Sequence, residues 1–280
     1  MLFFNRKEKT IYCVLYVLLV ASLIAVYLPV LRGLVILWST SEDQSHGFFI
    51  IPISLYIIWL KKDKLSHAAI VPSSWGIVWV LFAVGIYLLA SFADISSVAA
   101  YSLLPLVIGI VIYLFGFMIL YQCLFPIALL LFMMPIPSQI YVSLTNPLQI
   151  IVSTCSVWLV SLVDIPICRS GNVIQLPDRT LQVVAACSGL RSLMMIIALT
   201  SIFGYMTLRK NVLRVILVVS SIPIAIIVNI IRVVVMIIAF HYFNFDLTTG
   251  KIHTVFGLVI FMFAILIVAM VKGALLFWDK

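Results

Sequence analysis

Apolar runs long enough to cross a bilayer recur along the whole chain, and no other feature of the sequence limits its fold so tightly. A helix rises about 1.5 Å per residue, so about 20 apolar residues cover the roughly 30 Å of hydrocarbon. The runs predict transmembrane helices near residues 10–32, 47–60, 73–91, 98–119, 121–134, 186–206, 212–239 and 253–277, the second and fifth of them short. Composition agrees, with 65% hydrophobic residues and 9% charged. A soluble domain covers its surface with about a quarter charged residues. The expected fold class is therefore an all-α polytopic membrane protein with about eight transmembrane helices. With no internal repeat, low-complexity tract or linker, residues 1–280 are read as a single domain.

Arg6, Lys7 and Lys9 precede the run from Ile11 to Leu31, which is too long for a signal-peptide core and lacks a small-residue cleavage site, so it is read as a retained first span. Orientation follows from the basic clusters: Arg6 to Lys9, Lys61 to Lys64, Arg209 to Arg214, and Lys272 with Lys280 are expected in the cytoplasm, with both termini there. The segments Ser39 to His46, Ser91 to Ser97, Asp164 to Val184 and His241 to Ile252 are then expected outside. The formal net charge of +8 records this topology, and without a basic domain nucleic acid is not an expected partner.

Ile140 to Val163 is apolar too, but Asn146, Gln149, Ser153 and Ser156 recur at helical spacing along one stripe. An interfacial or re-entrant helix is the expectation here, helped by Pro135, Pro137 and Pro147. The alternative is a true span whose polar stripe makes packing contacts. After it, Gly171, Pro177, Asp178 and Arg179 punctuate the mixed-polarity stretch from Ile165 to Val184, which predicts a small hairpin on the outer face.

Three polar residues converge on the outer boundary. Cys187 opens the sixth span directly after the hairpin, and His253 opens the eighth directly after the loop from His241 to Ile252. Arg232 stands 20 residues beyond Val212, which carries it about 30 Å from the cytoplasmic side. The set suits acyl transfer: a thiolate attacks, a histidine takes and returns the proton, and a cation stabilises the oxyanion. A helix N-terminus at Cys187 would favour the thiolate further. Asn229, one turn before Arg232, could orient it, and Arg191, four residues after Cys187, could support the site or pair with a carbonyl or lipid headgroup. Interfacial anchoring of His253 and snorkelling of Arg232 are the structural alternatives. An arginine within Ile-Val-Asn-Ile-Ile-Arg-Val-Val-Val is costly enough that function is its default reading.

The five cysteines, Cys13, Cys123, Cys155, Cys168 and Cys187, form no CxxC pair and no zinc spacing, so neither a metal nor a cofactor is expected. Cys13, Cys123 and Cys155 read as small apolar packers. Cys168 shares the outer side with Cys187, where a structural disulfide is an open alternative.

At these residues the chain resembles the exosortase and archaeosortase family of integral-membrane sorting enzymes. The resemblance rests on Ala186-Cys187-Ser188-Gly189-Leu190-Arg191-Ser192, on Asn229 to Arg232 followed by Val233, and on His253 followed by Gly257. Ser45-His46-Gly47 with Pro52 and Trp59-Leu60-Lys61-Lys62 looks like the family's early signature. The resemblance implies Cys187 as nucleophile, Arg232 as transition-state stabiliser and His253 as acid/base, with Ser188 and Gly189 in support; histidine at the third place fits the bacterial exosortase branch. Ala185 departs from the pattern, which often has an acidic residue there.

Family membership further implies a cysteine peptidase or transpeptidase of the cell inner membrane. Its partners would be exported proteins with a C-terminal tripartite sorting signal: a Pro-Glu-Pro-like (PEP-CTERM-like) motif, a hydrophobic helix and a basic tail. Cleavage at the outer face would pass through a thioester to an acceptor nucleophile that the sequence does not identify. A transporter or flippase for a polysaccharide precursor would instead need polar groups near the midplane, and a non-catalytic assembly subunit would tolerate loss of Cys187.

Overall fold

The computed structural model describes residues 6–41, 43–176, 179–182, 190–248 and 250–279, and forms two compact units, Met1–Pro135 and Ile136–Lys280. The first contains α1 (Arg6–Thr40), α2 (Gly47–Leu60), α3 (Lys62–Ser66), α4 (Trp75–Phe92), α5 (Ser96–Tyr101), α6 (Leu103–Phe115) and α7 (Phe117–Leu129), the last ending in a 3-10 turn, Leu130–Met133. The second contains α8 (Ser138–Ser161), the strands β1 (Cys168–Ser170), β2 (Val173–Leu176) and β3 (Arg179–Gln182), and then α9 (Leu190–Thr207), α10 (Asn211–Phe243) and α11 (Gly250–Leu276). Among the described residues six helices are long and apolar enough to cross a membrane, and three shorter apolar helices accompany them. This is an all-α polytopic membrane fold with one small sheet.

Helices in lipid gain little from burying apolar surface against each other, so close backbone approach and polar contacts decide where they meet. In the first unit α4 and α6 cross at Gly76 and Gly109, where a Cβ on Gly76 would stand 2.5 Å from the Gly109 carbonyl oxygen and 2.4 Å from the Tyr113 nitrogen. The expected break between the fourth and fifth spans falls at Gly116 instead of near residue 120. Gly116 has φ +86 and lies against the Val71 carbonyl, so only a residue without Cβ fits the corner. Three contacts tie down the other end of this unit: Trp38 Nε1 donates to the Met133 carbonyl at 3.1 Å, His46 Nε2 donates to the Phe132 carbonyl at 2.9 Å, and Gly47 makes room for the Trp38 indole. Burial holds the His46 imidazole below the usual histidine range, against the opposing pull of the Phe132 carbonyl.

In the second unit α10 is the spine. Along its first half, Leu217, Ile224, Ala225 and Val228 pack with Ile196 of α9 and with Ala264 and Val268 of α11. Along its second half, Val233, Met236 and Ile237 pack with Val152 and Val160 of α8 and with Ile174 and Leu176 of β2. The expected hairpin is thus a three-stranded antiparallel sheet in the order β1-β2-β3, its inner face closing the second cluster. Asp279 fastens the opposite end, its carboxylate accepting the backbone N–H groups of Arg209 at 2.6 Å and Lys210 at 3.0 Å, which hold it below the usual aspartate range.

Three of the four polar residues of the α8 stripe face protein, and Asn146 at its start is exposed. Gln149, Ser153 and Ser156 are buried, Asn172 donates to the Gln149 side-chain oxygen at 3.0 Å, and the Ser153 hydroxyl donates to the Gly171 carbonyl at 3.3 Å. An interfacial helix turns such a stripe toward headgroups and water; here the outward face is Ile140, Leu144, Ile151, Trp158 and Leu162. The helix runs unbroken through Pro147 for 24 residues, about 36 Å, which meets the length and composition of a crossing helix.

Candidate functional site

Arg232 sits on α10 at the junction of the two clusters, one turn beyond Asn229, which is 3% exposed. His253 stands in the first turn of α11, which runs back along α10, and the two side chains meet: Nη2 of Arg232 lies 2.9 Å from Nε2 of His253. A guanidinium only donates, so Nε2 must present its lone pair to it. The other ring nitrogen, Nδ1, lies 2.9 Å from the Leu247 carbonyl oxygen, which only accepts, so Nδ1 carries the hydrogen. The partners therefore select one tautomer: Nδ1–H is committed to the backbone, and the basic nitrogen is aimed at Arg232.

Gly257, one turn after His253, completes the berth of the guanidinium. A Cβ there would stand 3.4 Å from Nη2 and 3.8 Å from Cζ of Arg232. Beside it lies a cavity of about 30 Å³ lined by Ser192 of α9, Asn229 and Arg232 of α10, Gly257 and Phe261 of α11, and further apolar side chains. That is room for about two water molecules, with Ser192, Asn229 and Arg232 as polar walls.

The structure thus brings Arg232, His253 and Asn229 together and sets Arg191 half-buried in the first turn of α9. Cys187, Ser188 and Gly189 lie outside the described residues. Cys168 is free and exposed on β1. Two further residues, Ser192 and Leu247, contribute to the site although the sequence assigns neither a role there. Ser192 closes the motif Ala186 to Ser192 and lines the cavity from the first turn of α9. Leu247 enters through its backbone carbonyl, which residue type does not reveal. Among the described residues no group of three or more His, Cys, Asp and Glu side chains could hold a metal ion.

Fold and site together define a multi-pass helical membrane protein with a half-buried arginine–histidine pair joining α10 and α11. The chain belongs to the transmembrane exosortase family: residues 38–270 match the family model described as Transmembrane exosortase (Exosortase_EpsH). Comparisons with curated proteins and with solved structures gave no match.

Proposed function

We propose that this membrane exosortase is a cysteine peptidase or transpeptidase that cleaves PEP-CTERM-like C-terminal sorting signals of exported surface proteins at the outer face of the cell inner membrane. The observation that carries the reading is the Arg232–His253 pair, built on separate helices of a family member that has Cys187 in Ala-Cys-Ser-Gly-Leu-Arg. In this reading Cys187 is the nucleophile, His253 the acid/base, and Arg232 the stabiliser of the oxyanion, with Arg191, Asn229, Ser188 and Gly189 in support.

The geometry suggests an order of events. His253 Nε2 cannot take the Cys187 proton while it accepts from Arg232. A substrate carbonyl that draws the guanidinium onto its oxygen would free Nε2 for the thiol. The Cys187 sulfur then bonds to the scissile carbonyl carbon, the C–N bond breaks, and the imidazolium returns its proton to the departing amine. Water or an acceptor amine next attacks the thioester, giving up its proton as the thiolate leaves and restores the thiol. The basic clusters support cytoplasmic termini, and the outer loops would hold the signal motif while a groove between α9, α10 and α11 holds its hydrophobic helix.

The test is co-expression with a tagged reporter ending in a Pro-Glu-Pro motif, a hydrophobic helix and a basic tail. The parent chain should process it and Cys187→Ala should not. Equal processing by both would remove the peptidase reading and leave a transporter or a non-catalytic assembly subunit.

A further inference from the structure

A single peptide unit links His253 to a carboxylate that the catalytic set does not include. His253 Nδ1 donates to the Leu247 carbonyl, which lies in the loop between α10 and α11. That carbonyl shares its peptide plane with the N–H of Thr248, and this N–H donates to Asp246 Oδ1 at 2.8 Å. In a trans peptide the C=O and N–H point in opposite directions. The carboxylate pulling on one end therefore aims the other end at the imidazole.

The surroundings hold this unit still. Asn244 ends α10 in the left-handed conformation at φ 49, with its N–H on the Phe240 carbonyl and that of Phe245 on the Ala239 carbonyl. The Asp246 carboxylate then closes an Asx turn over Leu247, accepting both the N–H and the hydroxyl of Thr248. The Leu247 side chain is buried with Val233, Ile237 and Ile174. Leu247 is thus pinned by its side chain below and by Asp246 across its following peptide bond. Bonds chained in this way also polarise one another, so a carboxylate on the N–H makes the carbonyl a stronger acceptor.

We propose that Asp246 is a positioning residue for His253, acting through the Leu247–Thr248 peptide to fix the imidazole tautomer and its orientation. The proposal rests on the peptidase reading of the same site. Its mechanical content is that the turn matters and the charge is secondary. Asparagine keeps an oxygen in the same place and can close the same turn. Glutamate keeps the charge, but its longer side chain carries the oxygens past the Thr248 N–H.

The full-length protein, reconstituted in vesicles with the tagged reporter at several densities, separates these. Asp246→Asn should process within about threefold of the parent. Asp246→Glu and Asp246→Ala should lose at least about tenfold at saturating reporter, a fraction of the roughly 10²- to 10⁴-fold that a positioned acid/base supplies. Half-saturating reporter density should not move, since the turn is not proposed to touch substrate. Should the alanine variant fail to accumulate, the Asn and Glu pair alone decides. The proposal is overturned if the Glu variant stays within about twofold of the parent, if the Asn variant falls as far as the Glu variant, or if half-saturation shifts in step with rate. Cys187→Ala in the same vesicles separates the two levels. If it processes normally, the peptidase reading fails and this inference with it; if it is inactive while the Glu variant is not, only the inference fails.

Discussion

Gly257 separates the stability of α11 from the chemistry proposed for Arg232. It lies within α11, where glycine costs about 0.5–1 kcal/mol relative to alanine. A Cβ at this position meets Arg232 at 3.4 Å from Nη2 and 3.8 Å from Cζ, which is ordinary contact for non-bonded atoms. Gly257→Ala should therefore raise the melting temperature by up to about 2–4 °C and leave Arg232 in place. Gly257→Val differs, because each γ-methyl stands about 1.5 Å beyond Cβ and the guanidinium occupies that space. The valine should displace Arg232 from His253 and, in the proposed mechanism, from the substrate carbonyl. Losing one oxyanion donor costs about 10²- to 10³-fold in rate, about 2.7–4 kcal/mol. Reporter processing normalised to accumulated enzyme, with melting in detergent as the control for folding, measures both effects. Parental processing by a folded Gly257→Val enzyme would refute the reasoning that the position of the Arg232 guanidinium governs the rate.

Gly76→Ala should destabilise the first unit by about 1–3 kcal/mol, because the new Cβ meets backbone of α6, whereas Gly85→Ala on the same helix meets nothing within 4 Å and should be neutral or stabilising; thermal melting of the pair in detergent tests the contrast. His46 is held below its ordinary range by burial, so the unfolded chain takes up its proton first on acidification. Its contribution is present above about pH 6.5 and is lost as pH falls through that range, and His46→Gln should flatten this part of a melting-versus-pH curve. Asp279 is held below its ordinary range by two backbone N–H groups, so its contribution is present above about pH 3.9 and lost below it. Asp279→Ala should lower the melting temperature at neutral pH, with the difference from the parent vanishing in acid.

The pairing of Arg232 with His253 was legible because a charge is costly in lipid. An arginine within nine otherwise apolar or neutral residues is conspicuous, and counting rise along its helix placed it at the depth of a histidine that opens the next helix. The structure puts these two side chains 2.9 Å apart. The tautomer was not legible, because it depends on the Leu247 carbonyl and on a loop whose shape comes from Asn244, Asp246 and Thr248 together. No one of those residues marks a site by type. Gly116 shows the same limit in the fold. It was one glycine in a continuous apolar run, and only its contact with the Val71 carbonyl, far away in sequence, turns it into a corner.

The stripe on α8 shows why periodicity alone leaves the neighbour undecided. Spacing of about 3.6 residues establishes that Gln149, Ser153 and Ser156 share a face, and an interfacial helix and a polar-packed span share that pattern. What decides is whether each group finds a protein partner, since an unpaired polar group in hydrocarbon costs several kcal/mol. Gln149 and Ser153 meet the turn between β1 and β2 at Asn172 and Gly171, and Ser156 reaches the Ile230 carbonyl at 3.5 Å, two residues before Arg232. The partners therefore came from the sheet and from α10, elements whose packing the local pattern of α8 does not encode. The Ser156 contact braces α10 close to Arg232, so the buried part of the polar face helps hold the helix that carries the candidate site.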